Sequence, residues 1–274
     1  MKLTAPPVKE AALARGLDVY QPLRVRDGEL QRWLAERRPD VALVVAYGRI
    51  LPPPVLGVPA RGCLNLHASV LPRYRGAAPI QWAIARGETE TGISLMQMDA
   101  GMDTGPVFAV RRLPIAPDAT GGDLTLALAE LAAAMVGDEF LAAARGERLA
   151  TPQDDAQASA APPIGKEHLL IDWTWPSAAI VNQVRAFAPA PSAFTFAGQR
   201  RLKILEARPG SAGGEASPGL VIGTRGDALE VACGDGSVLV ARVGAEGKGP
   251  QSGRDLINGR WLEVGLSLGS GAAP

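Results

Sequence analysis

The sequence predicts an α/β protein in which a Rossmann-like, mainly parallel sheet is followed by a small OB-like β-barrel. Residues 41–46 form a continuous apolar run, which is typical of a parallel strand buried on both faces. Residues 150–164 are small, polar or proline without periodicity, which indicates a linker. Short strand-like segments separated by turns follow the linker and favour a small closed barrel. We therefore divide the chain into a first domain at 1–149, the linker, and a second domain at 165–274.

Composition narrows the class of protein. With 274 residues and 47% hydrophobic content, the chain can bury one large core or two modest ones. The formal net charge of zero argues against a strongly basic nucleic-acid binder but leaves room for a local patch. Cys63 and Cys233 are far apart in sequence and form no metal-type pair. Free thiols without a signal peptide favour the cytoplasm, and no apolar run approaches the ~20 residues of a membrane span.

The first domain is predicted to alternate helices and strands. Helices are expected at 8–15, 27–37, 77–85 and 122–144, and a short helix should start at the prolines at 52–54. Strands are expected at 18–20, 41–46, 62–67, 91–98 and 106–110. Leu124, Leu128, Leu131 and Met135 recur at helical spacing along the longest helix, so this helix should cover the sheet with one apolar stripe.

The second domain is predicted to open with a helix at 177–187 and to end with a helix at about 254–262. The strands between these helices are expected at 193–196, 201–208, 219–224, 228–233 and 237–243. Strands this short and this regularly spaced favour a barrel of OB type. The Gly/Ser/Ala tail is predicted to be disordered.

The stretch from 62 to 76 carries the most chemistry. Strand periodicity puts Asn65 and His67 on one face together with Cys63, while the intervening leucines face the other way. An amide and an imidazole therefore stand side by side at the carboxyl end of a strand. Open α/β sheets usually place their ligands at this edge.

A second polar loop follows a later strand, at 96–105, and holds Asp99 and Asp103. The chain has only two histidines, so a catalytic His67 would need a carboxylate from elsewhere, and Asp103 is the best candidate. Other interpretations stay open at this point. A lone histidine on a strand is more often structural, and the acidic loop could consist of plain turns. A calcium loop is disfavoured because Val110 stands where a later glutamate would be needed.

Two extended motifs can be read in these stretches, Asn65-x-His67-x-Ser69-x-Leu71-Pro72-x-x-x-Gly76 and Asp99-x-Gly101-x-Asp103-Thr104-Gly105. With these motifs, the chain resembles the folate-dependent formyltransferases over residues 2–262. Three further segments are similar to the branch of this family that acts on methionyl-tRNA, namely Ala77-Ala78-Pro79-Ile80-Gln81, Ile171-Asp172-Trp173 and Arg185-Ala186-Phe187-x-Pro189-x-Pro191. Several motifs occur in the right order, which makes the resemblance specific.

The resemblance implies transfer of a formyl group from 10-formyltetrahydrofolate to the free amine of methionyl-initiator-tRNA, for translation initiation, without a metal. Catalytic roles are implied for Asn65, His67 and Asp103. Folate contacts are implied for Ser69, Val70, Leu71, Pro72, Tyr47 and Gly48, although the last pair could equally be a tight turn that needs glycine. We expect a monomer in the cytoplasm.

The residue types fit this chemistry. Acyl transfer to an amine passes through a tetrahedral carbon with a developing oxyanion, and protons must leave one nitrogen and reach the other. Asn65 offers an amide donor, and His67 can donate to the oxyanion or deliver a proton to the leaving nitrogen. Asp103 would hold the imidazole ring. No covalent nucleophile is required, and we interpret Cys63 as a packing residue.

The chain also departs from the family pattern. The family opens with a strand–helix–strand leader, and a leader of ~40 residues, one βαβ-sized unit, is expected to be missing here. The family usually carries a Thr-Tyr-Ala-like segment before the second domain, where this chain has Ser159-Ala160-Ala161. Two alternatives therefore accompany the main hypothesis. One is a formyltransferase that acts on a sugar-nucleotide amine, and the other is a truncated chain that only binds RNA or folate.

The second domain is not polybasic. From residue 165 onward it has eleven Lys/Arg against ten Asp/Glu. Its basic residues Arg200, Arg201 and Lys203 cluster in sequence, and Arg254 and Arg260 lie near the end. Such a cluster usually only faces solvent, but on an OB-like barrel it is compatible with contact to a tRNA backbone.

Overall fold

The computed structural model describes residues 4–245 and 249–269, which fold into two parts, each built on one sheet. The first part contains α1 Pro7–Leu13, α2 Glu29–Arg37, β1 Ala42–Val44, α3 Pro53–Leu56, β2 Cys63–His67, α4 Pro79–Ala85, β3 Glu90–Gln97, β4 Val107–Pro114, α5 Gly121–Met135 and α6 Leu141–Arg145. The second part contains α7 Ser177–Phe187, β5 Ala193–Ala197, β6 Arg200–Ala212, β7 Val221–Arg225, β8 Ala228–Cys233, β9 Gly236–Ala245, β10 Pro250–Ser252, α8 Gly253–Asn258 and β11 Leu268–Gly269. From position 270 onward, the tail predicted to be disordered lies outside the described residues.

The first sheet is mixed. Its four strands follow the order β1-β2-β3-β4, with β1 and β2 parallel and the other two pairs antiparallel. The predicted α/β, Rossmann-like fold is confirmed, but the sheet is less parallel than expected. The antiparallel pairing of β3 with β4 follows from the loop at 98–106, which joins these two strands without a helix. A connection this short is compatible only with an antiparallel neighbour.

The strand β1 is more exposed than the sequence suggests. The run at 41–46 was expected to be buried on both faces, yet Ala42–Val44 are all only half-buried. Among the described residues β1 pairs with β2 alone and forms the edge of the sheet, so its outer side is uncovered.

The prediction of a strand at 18–20 is wrong. This segment is irregular, and Tyr20 stacks on Trp33 of α2 with 5.2 Å between ring centroids.

The long helix predicted at 122–144 is present but interrupted. Thr120 and Asp123 form a capping box at the start of α5, and one π-helical turn at Val136–Phe140 leads into α6. The predicted apolar stripe faces the core, with Leu128 2% exposed. Within the described ranges, no helix has both the length and the apolar content to cross a membrane.

The second sheet is antiparallel and curled. Its strands follow the order β11-β5-β6-β9-β8-β7, with β10 paired to β9. Backbone bonds from Val221 to Leu266 (2.9 Å) and from Leu268 to Gly219 (2.8 Å) join the two ends of the sheet. The curled sheet agrees with the predicted OB-like barrel. All five expected strands are present, whereas β10 and β11 are too short to give a sequence signal.

One helix, α7, lies between the two sheets. Ile180, Val184 and Phe187 on α7 are at most 1% exposed and belong to one apolar core that includes residues of both sheets. The helix packs on α4 and α5 of the first part and on β5, β6 and β9 of the second. The division at 149/150 and 164/165 stays a prediction, because the apolar packing runs across it without a gap.

We predict that Leu128→Ala lowers the free energy of unfolding by about 2–5 kcal/mol, because it empties a buried position that its neighbours cannot refill. Leu126 lies on the same helix but is 68% exposed, so Leu126→Ala should change the free energy by less than about 0.5 kcal/mol. Urea unfolding followed by circular dichroism measures both. Equal losses for the two variants would show that α5 does not pack as described.

Candidate active site

The strand β2 presents the two polar side chains singled out in the sequence. Leu64 and Leu66 are 1% and 5% exposed on one face, and Asn65 and His67 lie on the other. Asn65 stands opposite Val44 of β1, near the carboxyl end of the parallel pair. Among the contacts of the described residues, no hydrogen-bond partner is found for the Asn65 side chain. Its amide can therefore bind a ligand without breaking an existing bond.

The imidazole of His67 is held between two loops. It is 6% exposed, and its Nε2 lies 2.9 Å from the carbonyl oxygen of Tyr74. A carbonyl oxygen only accepts hydrogen bonds, so Nε2 must carry a hydrogen. The Nδ1 atom lies 3.6 Å from Oδ2 of Asp103. The second ring nitrogen, Nδ1, therefore faces a carboxylate.

Asp103 occupies an unusual backbone conformation. Its φ of 56° is left-handed, a region that few residues other than glycine adopt, although aspartate is among those enriched there. Its Oδ2 also accepts a hydrogen bond from the backbone N–H of Gly76 at 2.9 Å. The carboxylate thus joins its own loop to the loop that follows β2. The sequence-predicted pair of His67 and Asp103 is brought together, while their catalytic roles stay a prediction.

Asp99 has a different position. Its Oδ1 accepts from the N–H of Gly101 at 3.0 Å and from the hydroxyl of Thr104 at 2.9 Å. These bonds shape the turn that carries Asp103. The interpretation of the acidic loop as plain turns therefore fits Asp99, and the interpretation as an orienting carboxylate fits Asp103. Across the described ranges, no group of three or more His, Cys, Asp or Glu side chains is arranged to hold a metal ion.

The loop after β2, proposed to bind folate, is fixed by an internal hydroxyl network. The Ser69 hydroxyl donates to the carbonyl oxygen of Arg73 at 2.6 Å. Ser94 of β3, which sequence reasoning missed, donates to the carbonyl of Ser69 at 2.7 Å and accepts from the N–H of Leu71 at 3.0 Å. Val70 and Pro72 on this loop are both half-buried. The folate contacts of these residues stay predictions, and several of their polar groups already serve the loop.

The Tyr47-Gly48 turn follows β1. Tyr47 is 41% exposed, and Gly48 has a left-handed φ of 70°. Because β1 and β2 are parallel, this turn lies at the same edge of the sheet as His67. Both uses considered for it, a tight turn and a pocket wall, are compatible with this placement.

The segment predicted as a linker is an ordered strap across the loop after β2. Ser159 accepts a hydrogen bond from the N–H of Tyr74 through its hydroxyl at 2.9 Å. Arg75 and Ala161 are joined by a backbone bond of 2.7 Å, and Arg75 also donates to the carbonyl of Ser159 at 2.8 Å. At this departure from the family pattern, the chain supplies the Ser159 hydroxyl as an acceptor for the loop. These contacts join residues ~85 positions apart, which local sequence patterns cannot reveal.

Two arginines on this loop already have partners. Arg73 pairs with Glu88, and the Tyr74 hydroxyl donates to the same carboxylate at 2.6 Å. Burial and this hydrogen bond raise the pKa of Tyr74 above its ordinary value. The Arg75 side chain is only 14% exposed and pairs with Asp155 at 2.7 Å. The Arg75 side chain is therefore held by other protein groups and does not extend freely into solvent.

Cys63 is 2% exposed, and burial raises the pKa of its thiol. A buried, protonated thiol is a poor nucleophile. This environment agrees with the interpretation of Cys63 as a packing residue.

Comparison of the sequence with known protein families identifies the class to which this fold and these two loops belong. The family described as formyl transferase matches residues 2–137, and the C-terminal domain of formyl transferases matches residues 163–260. Together they cover most of the chain. The chain belongs to the formyltransferase family.

The curated relatives refine this class. A methionyl-tRNA formyltransferase of Sorangium cellulosum is 49% identical over 98% of this chain and 87% of its own length. Two solved structures share the fold at 22% identity. The methionyl-tRNA formyltransferase of Clostridium thermocellum has a TM-score of 0.55 over 68% of this chain and 79% of its own. HypX from Aquifex aeolicus in complex with tetrahydrofolic acid has a TM-score of 0.65 over 93% of this chain and 44% of its own.

We predict that Gly76→Ala destabilises the strap. The φ of Gly76 is +126°, and an added Cβ would lie 2.5 Å from the carbonyl oxygen of Ala161. Strain of this kind costs about 1–3 kcal/mol. Gly198 also has a positive φ but open space around it, so Gly198→Ala reports backbone strain without the close approach. Thermal unfolding should show the larger loss for Gly76→Ala, and equal losses would contradict the close approach.

Proposed function

We propose that this chain transfers a formyl group from 10-formyltetrahydrofolate to the free amino group of methionyl-initiator-tRNA in the cytoplasm, for translation initiation. The observation that carries the proposal is the 3.6 Å approach of His67 Nδ1 to the Asp103 carboxylate, beside the unpartnered amide of Asn65. This arrangement occurs in a chain that belongs to the formyltransferase family. The chain is also 49% identical to a relative that is named methionyl-tRNA formyltransferase. A folate cosubstrate is supported by the family and by the tetrahydrofolate complex of HypX.

The reaction asks two things of the side chains. A bond forms between the amine nitrogen and the formyl carbon, and the bond from that carbon to the folate nitrogen breaks with its electron pair leaving on nitrogen. Asn65 would donate its amide N–H to the formyl oxygen, where negative charge develops in the transition state. This donor needs no change of protonation state during the cycle.

His67 would carry the proton. Its Nε2 hydrogen is engaged by the carbonyl of Tyr74, so Nδ1 is the atom that exchanges protons. A proton taken up at Nδ1 from the attacking amine would be stabilised by Asp103 and then delivered to the leaving nitrogen. The two nitrogens exchange one proton overall, so the enzyme returns to its starting state without an external acid or base.

The second part supports tRNA as the partner. Arg201 and Lys203 are exposed on the same face of β6. The guanidinium of Arg200 lies 5.2 Å from the ring centroid of Trp261, and both residues line, with Arg260, a groove of about 530 Å³. Basic side chains beside an aromatic ring on a barrel are typical of contacts with a nucleic-acid backbone and its bases. A sugar-nucleotide substrate would not explain why these basic side chains lie beside an aromatic ring on the barrel.

The proposal is tested by incubating the chain with 10-formyltetrahydrofolate and methionyl-initiator-tRNA and measuring formylated product. Methionyl-tRNA whose amino group is already acetylated is the matched control, because it lacks the free amine. We expect product only with the free amine. Transfer to a sugar-nucleotide amine instead would support the second hypothesis. Binding of folate or RNA without transfer to either amine would support the third.

We predict that Asn65→Ala and His67→Ala each lower kcat by about 10²–10³, because the first removes an oxyanion donor and the second removes the proton-transfer group. His168 is the second histidine of the chain and contacts Trp82 outside the proposed site, so His168→Gln should leave kcat close to the unaltered value. Steady-state formyl transfer measures all three variants. A variant at 65 or 67 that keeps nearly full turnover would remove that residue from the mechanism.

A further inference from the structure

A glutamine on the strap bridges the two loops that hold the proposed site. Gln153 donates through Nε2 to the carbonyl oxygens of Asp103 at 2.8 Å and Gly105 at 2.7 Å. Its Oε1 accepts two bonds from Arg75, at 3.1 and 2.7 Å. The two hydrogens of the amide nitrogen and both lone pairs of its oxygen are thus used. Gln153 is half-buried, in a segment that is otherwise mostly exposed.

These bonds act on the backbone that aims the Asp103 carboxylate. The left-handed φ of Asp103 is unfavourable in isolation and persists only where its surroundings hold it. Gln153 holds the carbonyl of Asp103 itself and a second carbonyl two residues later. A further bond joins this loop to the loop after β2, because the Asp103 carboxylate accepts from the N–H of Gly76 at 2.9 Å. Gln153 therefore lies behind the residue that faces His67.

The strap does not depend on Gln153 for its own attachment. Thr151 exchanges two backbone bonds of 2.8 Å with Val107, and the strap is bonded again at Ser159 and Ala161 to the loop after β2. Gln153 lies between these two anchors, on a backbone that is already fixed. A bridge of this kind orients other groups more effectively than it fastens its own segment.

We propose that Gln153 is a positioning residue for formyl transfer, which sets the approach of the Asp103 carboxylate to His67 through its two bonds to the Asp103 loop. The inference rests on the proposed function. Only an amide of this length meets both loops. Glutamate would keep the contact with Arg75 but would point an oxygen at two carbonyl oxygens, and asparagine is one methylene shorter.

The test compares Gln153→Glu with Gln157→Glu. Gln157 lies on the same strap, is exposed, and bonds only its neighbour Asp154, so its variant controls for the added charge. The first readout is the ¹⁵N NMR spectrum of the histidine rings. The chain has two histidines, so a His168→Gln variant assigns both sets of signals, and His168 serves as the internal reference. We expect the Nδ1 signal of His67 to shift in Gln153→Glu and to stay unchanged in Gln157→Glu.

The second readout is steady-state formyl transfer. A misplaced carboxylate should lower kcat by about 10- to 100-fold while the KM for tRNA changes little, because no substrate contact is removed. Should Gln153→Glu fail to fold, Gln153→Ala carries the same comparison against Gln157→Ala. An unchanged His67 spectrum in a folded variant at 153 overturns the inference. If the unaltered protein transfers no formyl group, the proposed function is wrong. A shifted His67 signal in Gln153→Glu would in that case still support the role of Gln153 in positioning Asp103.

Discussion

The Asp103 carboxylate is the contact on which the rest of the site depends. It meets the ring of His67 and the backbone N–H of Gly76, and so joins the loop after β3 to the loop after β2. Without it, the imidazole would keep only its hydrogen bond to the carbonyl oxygen of Tyr74, and Nδ1 would lose its carboxylate neighbour. The residue that makes both contacts has a left-handed backbone conformation, with a φ of 56°.

The strap extends this constraint to the connection between the two parts. It crosses the loop after β2 so closely that Gly76 cannot carry a side chain, and it supplies a hydroxyl at Ser159 and an amide at Gln153. A segment that connects two sheets thereby supports the loops that carry the proposed site. Polar groups that would be unpaired in an isolated loop are satisfied by the strap, which lets the loop be both ordered and close to the sheet edge.

Local patterns in the sequence predicted the parts of this arrangement that local physics determines. Alternation along β2 was sufficient to put Asn65 and His67 on one face, and the helix predicted at 177–187 has the observed bounds of α7. Burial of β1 was overestimated, because burial depends on neighbouring strands that a run of apolar residues cannot specify. The strap contacts at Gln153 and Ser159 could not be predicted at all. They join residues about 50 and 85 positions apart, and nothing in a short polar segment indicates its distant partners.

The position of α7 limits how the domains of such a chain can be exchanged. Its apolar side chains fill space beneath both sheets, so neither sheet has a complete interior of its own. If the barrel were replaced by an unrelated one, a cavity would be left under α4 and α5. The cavity would be avoided only if the new barrel carried a helix of the same shape as α7. Substitution of whole domains is therefore constrained by fit at this shared layer. Change in substrate would come more easily from loops at the sheet edge than from recombination at the linker.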